Sequence, residues 1–128
     1  VNESAIEWLK FHNAFTNPLT AQPEAISCWD ALEHIPKPEK LLKHVKSWLF
    51  VSLPIFDNPA TITASKHYKP GEHIWYFTHT GLVNWLSAQG FELVEYENGT
   101  DPMDGWVLLG FDEVGQFCKE PKYAFIGE

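Results

Sequence analysis

The sequence predicts one α/β domain. Two short apolar runs, Ala25–Trp29 and Leu49–Leu53, flank a segment with helical spacing, which is the pattern of a strand, a crossover helix and a parallel strand. A helical segment then precedes Phe91–Tyr96, a further strand candidate. The 128 residues are 45% hydrophobic and 15% aromatic, a folded composition long enough to bury a sizeable core.

Taken in order, Ser4 and Glu7 form a capping box, with Ile6, Trp8 and Leu9 as apolar contacts of a helix running to about Phe15. Asn17-Pro18 ends it, because a residue before proline is pushed out of the helical region. Ala25–Trp29 reads as a strand covered on both faces, and Asp30–Ile35 as a tight turn. Pro38 suits the first position of a helix whose Leu41, Leu42, Val45 and Trp48 share one face, with Lys40, Lys43 and Lys46 in solvent. Leu49–Leu53 is the next strand, ended by Pro54. Residues 55–77 form a long irregular segment, of the kind that is usually functional. Thr78 or Thr80 caps a helix carrying Leu82, Val83 and Leu86 and ending at Gly90. Phe91–Tyr96 is a strand. Asn98-Gly99 and Asp104-Gly105 mark turns, and Gly105–Phe111 reads as its antiparallel partner. The pattern assigns no place to the apolar group Tyr123–Ile126.

Charge narrows the partners. The net charge is −8, with nine Lys and no Arg. Arg is the preferred fork for phosphates and guanine edges, so a nucleic-acid partner is not expected. Cys28 and Cys118 lack metal or redox spacing, and Cys28 reads as a buried small hydrophobe. No apolar run reaches membrane-spanning length and no signal-peptide pattern opens the sequence, so a cytoplasmic protein with no membrane partner is expected.

Two constellations carry chemistry. Asp30, Glu33 and His34 lie just past a strand's carboxyl end, where open α/β sheets bind ligands. A histidine there can handle a proton near neutrality. The plainer reading is that Asp30 caps the turn and His34 packs. The second constellation, Ser65–Phe77, is dense in aromatics and polar hooks, as small-molecule pockets are. Its plainer reading is a packed surface flap. His67, His73 and His79 recur every six residues, which matches no common ligand motif, so no metal is expected. No glycine-rich loop follows a strand, and no nucleophile elbow or phosphate-binding loop is present.

Trp29-Asp30-Ala31-Leu32-Glu33-His34-Ile35-Pro36, Val51-Ser52-Leu53-Pro54, the Ser65–Phe77 segment and Gly90-Phe91 together resemble the C-terminal half of a class I S-adenosylmethionine-dependent methyltransferase. The resemblance runs from Val1 to about Phe111. It implies a partial Rossmann-like sheet with flanking helices and about four main strands, three parallel and the last antiparallel. Ala25–Trp29, Leu49–Leu53, Phe91–Tyr96 and Trp106–Phe111 would be the family's fourth to seventh strands. The glycine-rich loop and the ribose-binding acid of the family would lie upstream of Val1, making residues 1–128 a single truncated domain. Carried over, Trp29, Asp30, Leu32 and Glu33 would bind S-adenosylmethionine. Lys66, Tyr68 and Trp75 would face a small-molecule or unknown acceptor, and His34, His67 or His73 would be the base. With the neighbouring strands absent, the Ala25–Trp29 edge is expected to pair with a second copy. A binding module without catalysis is the alternative.

Overall fold

The computed structural model describes residues 2–97, 118–119 and 122–127. Its main sheet has four strands: β1 (Ala25–Trp29), β2 (Trp48–Ser52), β5 (Phe91–Glu97) and β7 (Lys122–Gly127), in the order β1-β2-β7-β5. β1 and β2 are parallel, with Cys28 opposite Val51. β7 is antiparallel to both β2 and β5, so β5 runs in the direction of β2. This is the expected set of three co-directional strands and one antiparallel strand.

The antiparallel strand is not the expected one. The group Tyr123–Ile126, to which the sequence pattern assigned no place, lies inside β7 and fills the gap between β2 and β5, with Leu49 opposite Phe125. The Gly105–Phe111 segment and the Asn98-Gly99 and Asp104-Gly105 turns lie outside the described residues. A second sheet joins β3 (Ile55–Phe56), β4 (Phe77–Thr78) and β6 (Cys118–Lys119) in the order β4-β3-β6. It brackets the long segment, which also holds a 3-10 helix at Pro59–Ala64 capped by Asn58.

The helices differ from expectation at their ends. α1 (Glu3–Phe11) is capped by Asn2, whose side chain accepts from Ala5 N–H, rather than by Ser4, and it stops at His12 instead of Phe15. It buries no residue, and Trp8 and Phe11 stand in solvent. α2 (Glu39–Leu42) is one turn long. Lys46, Ser47 and Trp48 instead donate their backbone N–H groups to the carbonyls of Pro23 and Glu24, which starts β2 at Trp48 and takes that residue off the helix face. α3 (His79–Ala88) is capped by Thr78, not Thr80, through an N–H···O bond from Gly81 of 3.0 Å. Gly90 takes φ +90° in the turn between α3 and β5, a conformation that favours glycine. The core unites Leu49, Val51 and Phe125 of the sheet with Leu32, Leu42, Leu82 and Leu86. Among the described residues, no helix is long and apolar enough to cross a membrane.

Candidate functional site

β1 ends where the chain turns sharply. Asp30 N–H donates to Ser52 C=O at 2.9 Å, extending the parallel ladder by one bond. Asp30 then takes φ +45°, a left-handed conformation that Asp tolerates better than most residues. This swings the chain off the sheet into a short 3-10 helix, Leu32–His34. Leu32 drops into the core and is fully buried. Glu33 is buried beside it at 2% exposure, while His34 stays exposed.

The Ser65–Phe77 segment is clasped over this turn. Ile74 N–H and Trp75 N–H both donate to Glu33 C=O, at 2.8 and 3.2 Å. Trp75 Nε1–H donates to Ile35 C=O at 2.9 Å, and His34 Nδ1 lies 2.8 Å from Glu72 C=O. The His34 and His73 rings meet edge to face, with centroids 4.6 Å apart. Tyr76 packs against Phe56, Tyr68 and His73. Two segments about forty positions apart in sequence thus form facing walls.

Between the walls lies a pocket of about 350 Å³, lined by Asp30, Glu33, His34, Pro54, His67, Lys69, Glu72 and His73. Of the residues singled out from sequence, Asp30, Glu33, His34, His67 and His73 meet here. Trp29 is outside the lining, with its ring exposed at the end of β1. Leu32 is outside the lining and fully buried in the core. Lys66 and Tyr68 are exposed outside the lining, and Trp75 is spent on the Ile35 carbonyl. Pro54, Lys69 and Glu72 were missed. Lys69 and Glu72 are an i, i+3 pair of opposite charge, a spacing visible in the sequence, and they form an exposed ion pair of 3.9 Å.

The pocket's electrostatics follow from burial. Burial pushes the Glu33 carboxyl above its ordinary range and the Asp30 carboxylate adds to this, while its own backbone and His34 oppose the shift. Burial, and then the facing His34 ring, hold His73 below its ordinary value. Cys28, behind Glu33, is pushed up to about 11 by burial first and Glu33 second, so it stays a thiol, as a buried small hydrophobe should. His34 Nδ1–H donates to the Glu72 carbonyl, which turns Nε2 toward Glu33 Oε1 at 3.7 Å. Glu33 Oε2 is buried without a hydrogen-bond partner.

A second pocket of about 380 Å³ opens at the start of α3, between β3 and Tyr96. His79 belongs there. Its Nδ1 lies 2.9 Å from Tyr123 Oη, well apart from His67 and His73. The six-residue histidine spacing therefore does not correspond to one site.

The mixed sheet with flanking helices is an α/β fold that resembles part of a Rossmann-like sheet, and it carries a polar pocket at the carboxyl end of β1. Residues 2–96 match the family described as methyltransferase domain, and the chain belongs to that family. This is the class I S-adenosylmethionine-dependent methyltransferase group that the sequence resembles, and S-adenosylmethionine is the family's cofactor. The fold is similar to that of the small RNA methyltransferase HEN1, at TM-score 0.52 and 17% identity, over 89% of this chain and 15% of that one. It is also similar to magnesium protoporphyrin IX methyltransferase (ChlM) from Synechocystis PCC 6803 with bound SAH. There the TM-score is 0.47 and the identity 13%, over 88% of this chain and 49% of that one. The chain therefore spans about half the length of one structure and a smaller part of the other. No curated protein matches the sequence.

Proposed function

We propose that this chain supplies the acceptor side of an S-adenosylmethionine-dependent methyl-transfer site. The observation that carries the reading is the position of the pocket. It lies at the carboxyl end of β1, beside Asp30, in a chain of the methyltransferase family. On this reading residues 1–128 are part of a larger domain, and the glycine-rich loop and ribose acid lie on sequence outside them.

The residues present fit one wall of the cofactor. Trp29 offers an exposed aromatic face and Asp30 an exposed carboxylate, which suit the donor's sulfonium and amine. Glu33 shapes the pocket behind them. When bound, S-adenosylmethionine supplies an electrophilic methyl group. The protein then has to orient the acceptor and take its proton. His34 Nε2, with its lone pair fixed by the Nδ1–H bond to Glu72, is the best placed of the three histidines to accept that proton. His73 is kept neutral by burial and can serve as an acceptor toward a hydroxyl. Lys69 at the rim provides a cation for an acidic acceptor. A pocket of this size suits a small-molecule acceptor, and the Arg-free, acidic composition disfavours nucleic acid.

Among the described residues β1 pairs on one side only, with β2. That edge supports either completion of the sheet by preceding sequence or pairing with a second copy. The expected compartment is the cytoplasm. A binding module without catalysis is the second reading.

Isothermal calorimetry with S-adenosylmethionine and S-adenosylhomocysteine tests the first reading. Micromolar binding that weakens in Asp30→Ala supports it. No binding up to millimolar ligand leaves the module. Sedimentation of the same chain reads the copy-pairing: a monomer at high concentration overturns it.

A further inference from the structure

We propose that Glu33, His34 and His73 form a binding site for a divalent transition-metal ion of the zinc class. One ligand atom from each lies within 4.8 Å of the others. Among the described residues this is the only set of three such groups so arranged. The sequence conceals it, because Glu33-His34 and His73 are far apart in the chain and come together only when the Ile74 and Trp75 amides dock on the Glu33 carbonyl.

Four features make this a built site rather than a chance cluster. Glu33 is 2% exposed, lines the pocket, and its Oε2 is buried without a hydrogen-bond partner. A buried carboxylate oxygen in that state is costly unless something coordinates it. His34 is already in the tautomer a metal needs. Its Nδ1–H is held by the Glu72 carbonyl, an outer-shell bond of the kind that orients metal-bound imidazoles, and its Nε2 points toward Glu33. His73 is 8% exposed, lines the same pocket, and meets the His34 ring edge to face at 4.6 Å between centroids. Finally, Asp30 faces the same pocket and adds negative charge beside Glu33. The one opposing charge, Lys69, is half in solvent and pairs with Glu72 at the rim.

The spacing is close to what coordination requires. Metal bonds of about 2.1 Å in a tetrahedral arrangement set ligand atoms about 3.4 Å apart. The His34–Glu33 pair, at 3.7 Å, is near that value. The wider separations close by rotation of the exposed His34 ring and of His73. Two imidazoles and one carboxylate favour zinc, cobalt or manganese over magnesium or calcium, which prefer all-oxygen shells. A bound ion takes the His34 Nε2 lone pair in place of the acceptor's proton; three protein ligands leave a coordination position open to the pocket, where an acceptor oxygen could bind. That last role rests on the methyl-transfer reading; metal binding itself does not.

The test is titration of the full 128-residue chain, free of S-adenosylmethionine, with ZnCl2, CoCl2 and MgCl2. The expected result is one zinc equivalent bound by calorimetry, visible absorption on adding cobalt, and no response to magnesium at the same concentration. Glu33→Gln and His73→Ala should each weaken zinc binding on the order of 10- to 100-fold, the range seen when even an outer partner of a ligand is lost. His12→Ala, on exposed α1, should bind as the parent chain does. Circular dichroism checks the fold of each variant. If one does not fold, cobalt-shifted ring protons of His34 and His73 in the parent chain give the same answer. No zinc or cobalt binding up to millimolar, or equal binding by folded Glu33→Gln and His73→Ala, overturns the proposal. Donor calorimetry on metal-free protein is scored separately, so failure of either idea leaves the other standing.

Discussion

Along β2 and β7 the buried side chains are Leu49, Val51, Tyr123 and Phe125, and their backbones pair in one continuous ladder. Across the pocket, the wall made by residues 65–77 is attached mainly through backbone and ring contacts: two amides on one carbonyl, one indole N–H, one imidazole on a carbonyl, and a stack of rings. The first region is held by removing apolar surface from water, which is insensitive to geometry within limits. The second is held by directional bonds, each worth about 1 kcal/mol net. Loss of a single directional bond should therefore loosen the clasp locally, while the sheet depends on its buried side chains.

The largest break in that comparison is Phe125→Ala. Emptying the centre of the sheet should cost about 3–5 kcal/mol in urea unfolding. A loss below about 1 kcal/mol would mean that β7 does not carry the core.

Glu33→Gln probes the buried acid of the clasp in metal-free protein. The native carboxyl is raised above its unfolded value, so its contribution is fully present below the ordinary glutamate range and is lost as pH rises through the raised value. Glutamine does not ionise. The variant should therefore match the parent near pH 4 and exceed it by on the order of 1–2 kcal/mol near pH 8. His73 acts in the opposite sense. Its lowered value makes its contribution present above the ordinary histidine range and lost as pH falls. Equal urea midpoints for parent and variant at both pH values would show that Glu33 is not buried as a charge.

Trp75→Phe removes the indole N–H bond to Ile35 and should cost about 1 kcal/mol. Amide exchange at Ile74 and Trp75 should quicken while the β2 amides keep their protection. Uniform quickening would erase the distinction between clasp and sheet. Smallest of all, Lys69→Ala removes an exposed ion pair and should change stability by about 0.5 kcal/mol or less.

Three strands were legible from sequence, although β1, expected to be covered on both faces, buries only Cys28. Ala25–Trp29, Leu49–Leu53 and Phe91–Tyr96 are short apolar runs bounded by Pro, Gly or polar residues, and each appears within one residue of its expected ends. The turn at Asp30 and its facing wall at Lys66–Phe77 were legible as chemistry, because acids, histidines and aromatics cluster there. The place of β7 was not. Nothing local in Tyr123–Ile126 says that it inserts between two strands made much earlier. α2 was overread because Val45 and Trp48 keep helical spacing, although hydrogen bonds to Pro23 and Glu24 convert Trp48 to strand. The convergence of Glu33 with His73 was invisible, since it depends on two amides docking across the pocket. Lys69 and Glu72 lay inside the Ser65–Phe77 constellation but were not singled out.

β7 also bears on how the chain is made. β1, β2 and β5 emerge from the ribosome first, yet β2 and β5 do not pair with each other in the finished sheet. Each keeps an open edge toward the other until Lys122–Gly127 is synthesised and slots between them. During that interval Trp48–Ser52 has β1 on one side only and Phe91–Glu97 lacks its β7 partner, and open strand edges of this kind are prone to aggregate when crowded. Sheet closure is thus a late event that waits on the most distant contacts in the chain. A ribosome stalled before Lys122 should display a nascent chain that is protease-sensitive in β2, whereas one carrying the full chain clear of the exit tunnel on an added linker should not.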